Sequence, residues 1–173
     1  MKLVLSCAVL LFSLSAEAQN YGRDSLNCEG STLVAYGRQE RREVHRFSFT
    51  SECQAALVQT TRYRQRFCDG SQLFSTRQGL LRDLTFSSEC LRALETGNNR
   101  YRIFCDDNEL VGARGETIHR FSFSSDCLQG HVQALRYSGH FCADRDLKDV
   151  TGFVLASYTF SSECREALAQ GQW

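Results

Sequence analysis

The sequence predicts an α+β fold built from four tandem, disulfide-stapled repeats of about 37 residues, each a small antiparallel β-meander followed by a short α-helix. Three observations predict it: a motif that recurs at a fixed spacing, cysteines at the same spacing, and a change of hydrophobic period inside every copy. The motif is an aromatic residue or Leu, one further residue, Phe, two hydroxyl residues, an acid and Cys. Its copies begin 37 residues apart and occupy residues 47–53, 84–90, 121–127 and 158–164.

The first strand of each unit is predicted from a run of aromatic residues and Arg that ends at a cysteine, in residues 63–68, 101–105 and 137–142. A turn signal follows, and its clearest form is Asp69-Gly70. The second strand is predicted around a Leu that lies five residues after the first cysteine of each unit: Leu33, Leu73, Leu110 and Leu147. A second turn is expected at Gly37, Gly79, Gly115 and Gly152.

The third strand is predicted over residues 44–49 and 118–123, where apolar and polar residues alternate with period two. This alternation predicts that Phe47 and Phe49 share one face of the sheet with His45. The same pattern predicts that Phe121 and Phe123 share a face with His119.

A helix is predicted after the third strand, because the period changes at the motif cysteine. The two hydroxyl residues and the acid are expected to supply the N-cap and a negative charge in the first turn. Cys90, Ala93 and Leu94 then lie on one helix face. Unit 3 has Gly130 and His131 in place of the Ala and Leu. If that helix is rotated, Val132 and Leu135 are expected to make the core contact instead.

The first 18 residues are predicted to be a signal peptide. Lys2 is followed by a mostly apolar run over residues 3–14, and Ala16 and Ala18 frame a small–x–small cleavage site. The apolar run is too short for a permanent membrane helix, so we expect no transmembrane anchor. The protein is therefore expected to be exported, to the periplasm or the medium. Residues 19–173 are expected to form a single repeat domain with units at about 20–60, 61–97, 98–134 and 135–173.

Loss of the signal peptide removes Cys7 and leaves eight cysteines, an even number that predicts a disulfide framework in an exported chain. The repeat allows two regular pairings. Pairing between units would join 53–68, 90–105 and 127–142. Pairing within units leaves no cysteine without a partner and is favoured: Cys28 with Cys53, Cys68 with Cys90, Cys105 with Cys127 and Cys142 with Cys164. The sequence has no CxxC pair and no His at ligand spacing, so neither a metal nor another cofactor is expected.

Candidate binding residues lie where the copies differ. Unit 1 carries a three-residue insertion in the charged stretch 37–44, which supplies Arg38, Arg41 and Arg42. His45 and His119 occupy a position that is Arg82 in unit 2 and Ala156 in unit 4. His131 is a further candidate. The alternatives are a solvated turn with self-compensating charges for the arginines and strand-end residues beside the apolar face for the histidines.

Composition narrows the class of partner. The formal net charge is zero, and only two of the 20 basic residues, Lys2 and Lys148, are lysines. Arg and Tyr interleave before the first strands, a pattern that nucleic-acid-binding proteins use, but export and zero net charge argue against nucleic acid. Stacking on sugars or binding a carboxylate-bearing partner fits better, and purely structural roles remain open.

The leading hypothesis is an exported, non-enzymatic binding or interaction module whose ligand is a glycan, a cell-wall polymer or an envelope protein. No nucleophile motif or phosphate-binding loop is present, which argues against an enzyme. The second hypothesis is an inhibitor of an exported hydrolase. The third is an enzyme with a site between repeats, formed by His45, His119 and nearby acids.

Overall fold

A computed structural model describes residues 25–37 and 40–172. Over these residues the chain forms four three-stranded antiparallel sheets, each followed by one helix, which confirms the predicted α+β repeat. The strands are β1 (Ser25–Glu29), β2 (Thr32–Tyr36), β3 (Arg41–Arg46), β4 (Arg66–Asp69), β5 (Gln72–Ser75), β6 (Gly79–Asp83), β7 (Phe104–Asp106), β8 (Glu109–Val111), β9 (Thr117–Arg120), β10 (His140–Ala143), β11 (Asp146–Asp149) and β12 (Val154–Ser157). The helices are α1 (Thr50–Arg62), α2 (Ser87–Thr96), α3 (Ser124–Arg136) and α4 (Ser161–Gln170).

The predicted signal peptide, residues 1–18, lies outside the described residues. None of the helices among the described residues is long and apolar enough to cross a membrane.

Each sheet begins with a tight hairpin. The first residue of its two-residue loop has a positive φ, which is 61° at Gly30 and 57° at Gly70. Units 3 and 4 place Asp107 and Asp144 there, at 49° and 54°, because a short acidic side chain tolerates this conformation better than most. In every unit the pairing of the second strand with the third shifts register just after the Leu that the four copies share, so the same bulge recurs four times.

The third strands end earlier than predicted, and this changes the position of the second motif Phe. Strand β3 ends at Arg46, and the chain leaves the sheet before the helix begins. Phe47 is buried at 5% exposure, but Phe49 is 65% exposed. The prediction that the two rings share one face of the sheet is therefore wrong, and the same correction applies to Phe123.

The prediction that a hydroxyl residue occupies the N-cap is also wrong. The helices have Phe49, Phe86, Phe123 and Phe160 at the N-cap, and the hydroxyl residues begin the first turn. The motif acid takes over the capping, since the Glu52 carboxylate accepts hydrogen bonds from the backbone N–H groups of Ser48 and Phe49 at 3.1 and 3.0 Å. Glu89 and Glu163 make the equivalent bonds.

The disulfides join the first strand to the helix of the same unit, which confirms the favoured pairing: Cys28–Cys53, Cys68–Cys90, Cys105–Cys127 and Cys142–Cys164. The paired cysteines are 22 or 25 residues apart. In the chain-entropy model a loop of this length gives each disulfide about 3 kcal/mol of stabilisation. A unit of this size buries too little apolar surface to fold without such support.

The units stack in chain order, because each of the first three cores is completed by the next unit. Phe67 and Phe74 of unit 2 complete the core of unit 1. Units 3 and 4 contribute to the cores before them in the same way. Helices α1, α2 and α3 each pack on the first strand of the following unit. The backbones approach closely at Gly115, which has a φ of 85° and where a Cβ would overlap the backbone of Leu81 in unit 2.

Helix α3 is not rotated, contrary to the expectation for unit 3. Gly130 and His131 stay buried, and Val132 is exposed. Gly130 allows this packing because the Phe121 ring lies against it, and a Cβ there would come within 2.6 Å of Cζ. His131 keeps the core position by placing its Nε2 atom 3.2 Å from the backbone oxygen of Ile103.

Candidate functional site

The predicted Arg-rich turn of unit 1 is only partly described, since Arg38 lies outside the described residues. Arg41 bonds to the Glu29 carboxylate, its Nε lying 3.1 Å from Oε2, and the Tyr36 hydroxyl donates to the same carboxylate. These two contacts, that with Arg41 above all, lower the pKa of Glu29 to about 2. The charge of Arg41 is therefore matched by a carboxylate of its own unit.

The variable position of the histidines lies at the contact between consecutive units. His45 Nε2 lies 2.8 Å from Asp69 Oδ2 in unit 2, and Arg82 Nε donates to Asp106 Oδ2 in unit 3 at 2.7 Å. His119 Nδ1 accepts from Lys148 Nζ of unit 4 at 3.3 Å. Burial, together with Lys148, lowers the pKa of His119. The residue type at this position thus differs with the polar group that it meets in the next unit, which is an aspartate for units 1 and 2 and a lysine for unit 3.

The structure does not bring the predicted histidines together. His45 lies at the contact between units 1 and 2, and His119 lies at the contact between units 3 and 4. His131 fills the helix position that is Leu57, Leu94 and Leu168 in the other units, and its burial lowers its pKa. A site built from both His45 and His119 has no support in this arrangement. Binding roles for the single residues remain predictions.

Arg42 contacts a segment of unit 2 that borders a different candidate site. Its Nη2 donates to the backbone oxygen of Thr76 in unit 2 at 2.8 Å. Thr76 lies between Ser75 and Arg77, which line a cleft of about 800 Å³ that crosses units 1, 2 and 3. This volume is within the range of ligand-binding clefts. We call it the arginine cleft, because its walls carry four arginines: Arg64, Arg66, Arg77 and Arg102.

The arginine cleft has no acidic residue among the described residues that line it. Its other side chains are polar or apolar, including Leu26 and Leu57 of unit 1 and Gln65 of unit 2. Arg64, Arg77 and Arg102 form no ion pair with any described carboxylate. Several other arginines are engaged, since Arg62, Arg100 and Arg136 each stack on the following Tyr ring.

Arg66 is the buried member of the group, at 4% exposure. Its Nη2 donates to the backbone oxygen of Ala113 at 2.8 Å, and the guanidinium makes longer bonds to the backbone oxygen of Arg102. Burial, followed by repulsion from Arg102, lowers the pKa of Arg66 to about 10, and Glu116 opposes this only in part. The guanidinium stays charged at neutral pH, and its surroundings favour an anion.

Three residues that line the arginine cleft have an unfavourable backbone conformation. Arg64, Gln65 and Arg102 have left-handed φ values of 54°, 71° and 58°. This conformation costs about 1–2 kcal/mol at a residue with a Cβ, and such residues cluster at functional sites. Unit 4 makes the turn that corresponds to residues 64–65 with Ser138 and Gly139, and so avoids part of the cost. Unit 2 accepts a less favourable backbone where two of its side chains line the cleft.

Sequence reasoning noted Arg64 and Arg102 only as part of the interleaved Arg and Tyr residues and missed the other two arginines, although one signal could have found Arg66. It stands two residues before the first cysteine of its unit, where units 1 and 3 have the apolar Leu26 and Ile103. Unit 4 has His140 there, so Arg66 is the permanently charged residue at a position that two of the copies fill with aliphatic side chains. Arg64 and Arg102 each follow the Tyr of an Arg-Tyr-Arg run, but no comparison of the copies joins them to the other two arginines.

The described residues contain no cluster of three or more His, Cys, Asp or Glu side chains that could hold a metal ion. No protein-family model matches the chain, and comparison with curated proteins and with solved structures gives no match either.

Proposed function

We propose that the protein is an exported binding module whose arginine cleft binds an acidic group of a glycan or cell-wall polymer. The observation that carries the proposal is a cleft of about 800 Å³ with four arginines and no acid among its described lining residues. The disulfide-stapled repeat scaffold is of the kind found in extracellular proteins, where such partners occur.

The chemistry of the side chains favours carboxylate or phosphate groups. A guanidinium offers planar, paired N–H donors that match the two oxygens of such a group, and these charge-assisted bonds are stronger than neutral ones. Arg64, Arg77 and Arg102 have side chains free to make them. Leu26 and Leu57 add an apolar wall against which the carbon face of a sugar ring can pack.

Arg66 contributes to anion binding mainly through the electrostatic field of its guanidinium group. Its guanidinium is held by backbone carbonyl groups, so its position is set before any ligand arrives. None of the carboxylates in the described part of the chain lies within ion-pair distance of it. A fixed, partly desolvated charge attracts an anion more strongly than an exposed one does, because water screens it less.

Calorimetric titration of the mature protein tests the proposal. The probes are oligogalacturonate, which carries carboxylates, inorganic phosphate, and a neutral oligosaccharide of similar length. We expect the acidic oligosaccharide to bind, with an affinity that falls as salt is added, and the neutral one to bind at least about tenfold more weakly.

A matched pair of variants locates the binding. Arg66→Ile introduces the residue that unit 3 uses at this position and is expected to weaken binding by about tenfold, because it removes a fixed, partly desolvated positive charge from the wall of the cleft. Arg92→Ala removes an exposed arginine of α2, outside the cleft, and should leave the affinity unchanged. Equal binding of neutral and acidic probes, or equal losses in the two variants, would contradict the proposal.

A further inference from the structure

Two histidines occupy the same position of the repeat but meet opposite charges in the next unit. His45 of β3 has its Nε2 atom 2.8 Å from Asp69 Oδ2. His119 of β9 instead accepts a hydrogen bond at Nδ1 from Lys148 Nζ, at 3.3 Å. Each ring packs edge-on against the Phe two residues later, with the ring centroids 4.6 Å apart. The aromatic neighbour is therefore alike in the two contacts, and the charged partner differs.

Two departures from the repeat in unit 4 produce this difference. Units 1 to 3 have an acid directly after the first cysteine: Glu29, Asp69 and Asp106. Unit 4 has Ala143 there. Units 1 to 3 have an apolar residue six positions after that cysteine: Val34, Phe74 and Val111. Unit 4 has Lys148 there, so it lacks the acid that could face His119 and carries a cation in its place.

The contact of His119 with Lys148 requires a neutral imidazole. Nδ1 accepts the hydrogen bond through a lone pair that protonation removes, and a protonated ring would set a second positive charge beside the ammonium group. Burial, followed by the charge of Lys148, lowers the pKa of His119, and Asp144 and Asp146 oppose this shift.

The elements around His119 place its charged neighbours in unit 4. Across its own sheet it pairs with the apolar Leu110 of β8, and the Phe141 ring of β10 lies 6.4 Å away between centroids. The charged groups that act on it are Lys148 and Asp146 of β11 and Asp144 of the preceding turn. Because the folded protein favours the neutral ring, the contact is at full strength above pH 6.5 and weakens as the pH falls below it.

The equivalent contact of His45 does not depend on a neutral ring. Asp69 supplies an acceptor, and Nε2 can donate to it from a neutral or from a protonated imidazole. We propose that the protein contains one acid-sensitive contact between units: protonation of His119 loosens unit 4 from unit 3, while units 1 and 2 stay joined. Since the arginine cleft is lined by residues of units 1 to 3, it stays assembled when unit 4 loosens.

Amide hydrogen exchange followed by NMR tests the proposal, because two equivalent backbone groups report on the two contacts. The Cys142 N–H of unit 4 donates to Gln133 Oε1 of unit 3 at 2.9 Å. The Cys68 N–H of unit 2 donates to Gln59 Oε1 of unit 1 at 2.7 Å. Each exchange rate is divided by the intrinsic rate of an unprotected amide at the same pH, which gives a protection factor.

The expected result in the mature wild-type protein is a selective loss of protection. Between about pH 7.5 and about pH 5, the protection factor of Cys142 should fall at least about fivefold, the factor that corresponds to repulsion between two unit charges about 4 Å apart in water. The protection factor of Cys68 should change by less than about twofold, because its contact tolerates a protonated His45.

Two variants remove the response by different routes. His119→Gln keeps an oxygen that can accept from Lys148 but cannot be protonated, so the loss of protection at Cys142 should disappear. Lys148→Val introduces the residue that units 1 and 3 have at this position, and the loss should shrink. His131→Leu is the matched control: it replaces the other histidine whose pKa burial lowers with the Leu of the other units, and the response should remain.

Circular dichroism and disulfide mapping at both pH values establish that each variant is folded. Protection of Cys142 that does not change with pH in the wild-type protein, or that falls equally at Cys68, would overturn the proposal. So would a response that persists in full in His119→Gln or Lys148→Val, or one that disappears in His131→Leu.

Discussion

Units 2 and 3 have the same three strands, the same bulge and the same disulfide, yet they differ in the charge of one buried position. Arg66 of unit 2 is 4% exposed, and Ile103 of unit 3, two residues before its own cysteine, is 1% exposed. Ile103 packs in an apolar core with Phe121 and Phe141. Arg66 instead donates to the backbone oxygens of unit 3. The fold accepts an aliphatic residue here, so the arginine is not required by the repeat.

Exchanging the two residues gives the largest expected effect. Ile103→Arg would bury a guanidinium among apolar side chains and should lower the free energy of unfolding by about 4 kcal/mol. Arg66→Ile should lower it by only about 1–2 kcal/mol, since it removes a buried charge but leaves the backbone oxygens of Arg102 and Ala113 without their donor. Denaturant unfolding under oxidising conditions measures both values. If Arg66→Ile were as costly as Ile103→Arg, Arg66 would have a structural role.

The helices of the two units differ in a second way that concerns packing alone. Unit 2 has Ala93 and Leu94 on its buried face, and unit 3 has Gly130 and His131. A Cβ at Gly130 would come within 2.6 Å of the Phe121 ring. Gly130→Ala should therefore lower the free energy of unfolding by about 2 kcal/mol, as overpacking of a core does, despite the better helix propensity of Ala.

A double variant distinguishes crowding from other causes. The counterpart of Phe121 in unit 2 is Leu84, which packs in one core with Ala93. Phe121→Leu combined with Gly130→Ala reproduces this pair in unit 3 and should cost less than the sum of the two single changes, because the changes relieve each other. Purely additive losses in the same unfolding experiment would show that the ring and the new methyl group do not collide.

The sequence was sufficient for the repeat and its disulfides, because a fixed period imposes one structure on every copy. It failed where the period-two pattern continued past the end of a strand. Phe49 follows Phe47 by two residues, but the chain has already left the sheet at Arg46. Only the path of the backbone shows that this Phe occupies the N-cap position of a helix and that its ring faces solvent.

The arginine cleft could not be predicted for a related reason. Its arginines come from two units and from different parts of the repeat, and two of them, Arg64 and Arg102, lie in left-handed backbone that their residue type does not favour. Their convergence depends on how one unit stacks on the next. The contact of His45 could not be predicted for the same reason, because its partner Asp69 belongs to the following unit.

The contact between units 2 and 3 also predicts a response to pH, of smaller size. Glu109 accepts hydrogen bonds from Thr117 Oγ1 at 2.8 Å and from Arg82 of unit 2 at 2.5 Å, and Arg120 bonds to its other oxygen. These bonds, that of Thr117 above all, lower the pKa of Glu109 from 4.5 to about 2. Because the folded protein holds the ionised form, the stabilisation is present above pH 4.5 and is lost as the pH falls towards 2.

Glu109→Gln removes this charge while keeping the shape of the side chain. At neutral pH it should lower the free energy of unfolding by about 1 kcal/mol, a small loss because Asp106 still pairs with Arg82. The difference between the two proteins should shrink as the pH falls towards 2, where the wild-type carboxyl group becomes protonated in the folded protein as well. Unfolding curves recorded from neutral pH to pH 2 measure the difference. A gap that stays constant or widens in acid would show that Glu109 is not the ionised centre of the contact between units 2 and 3.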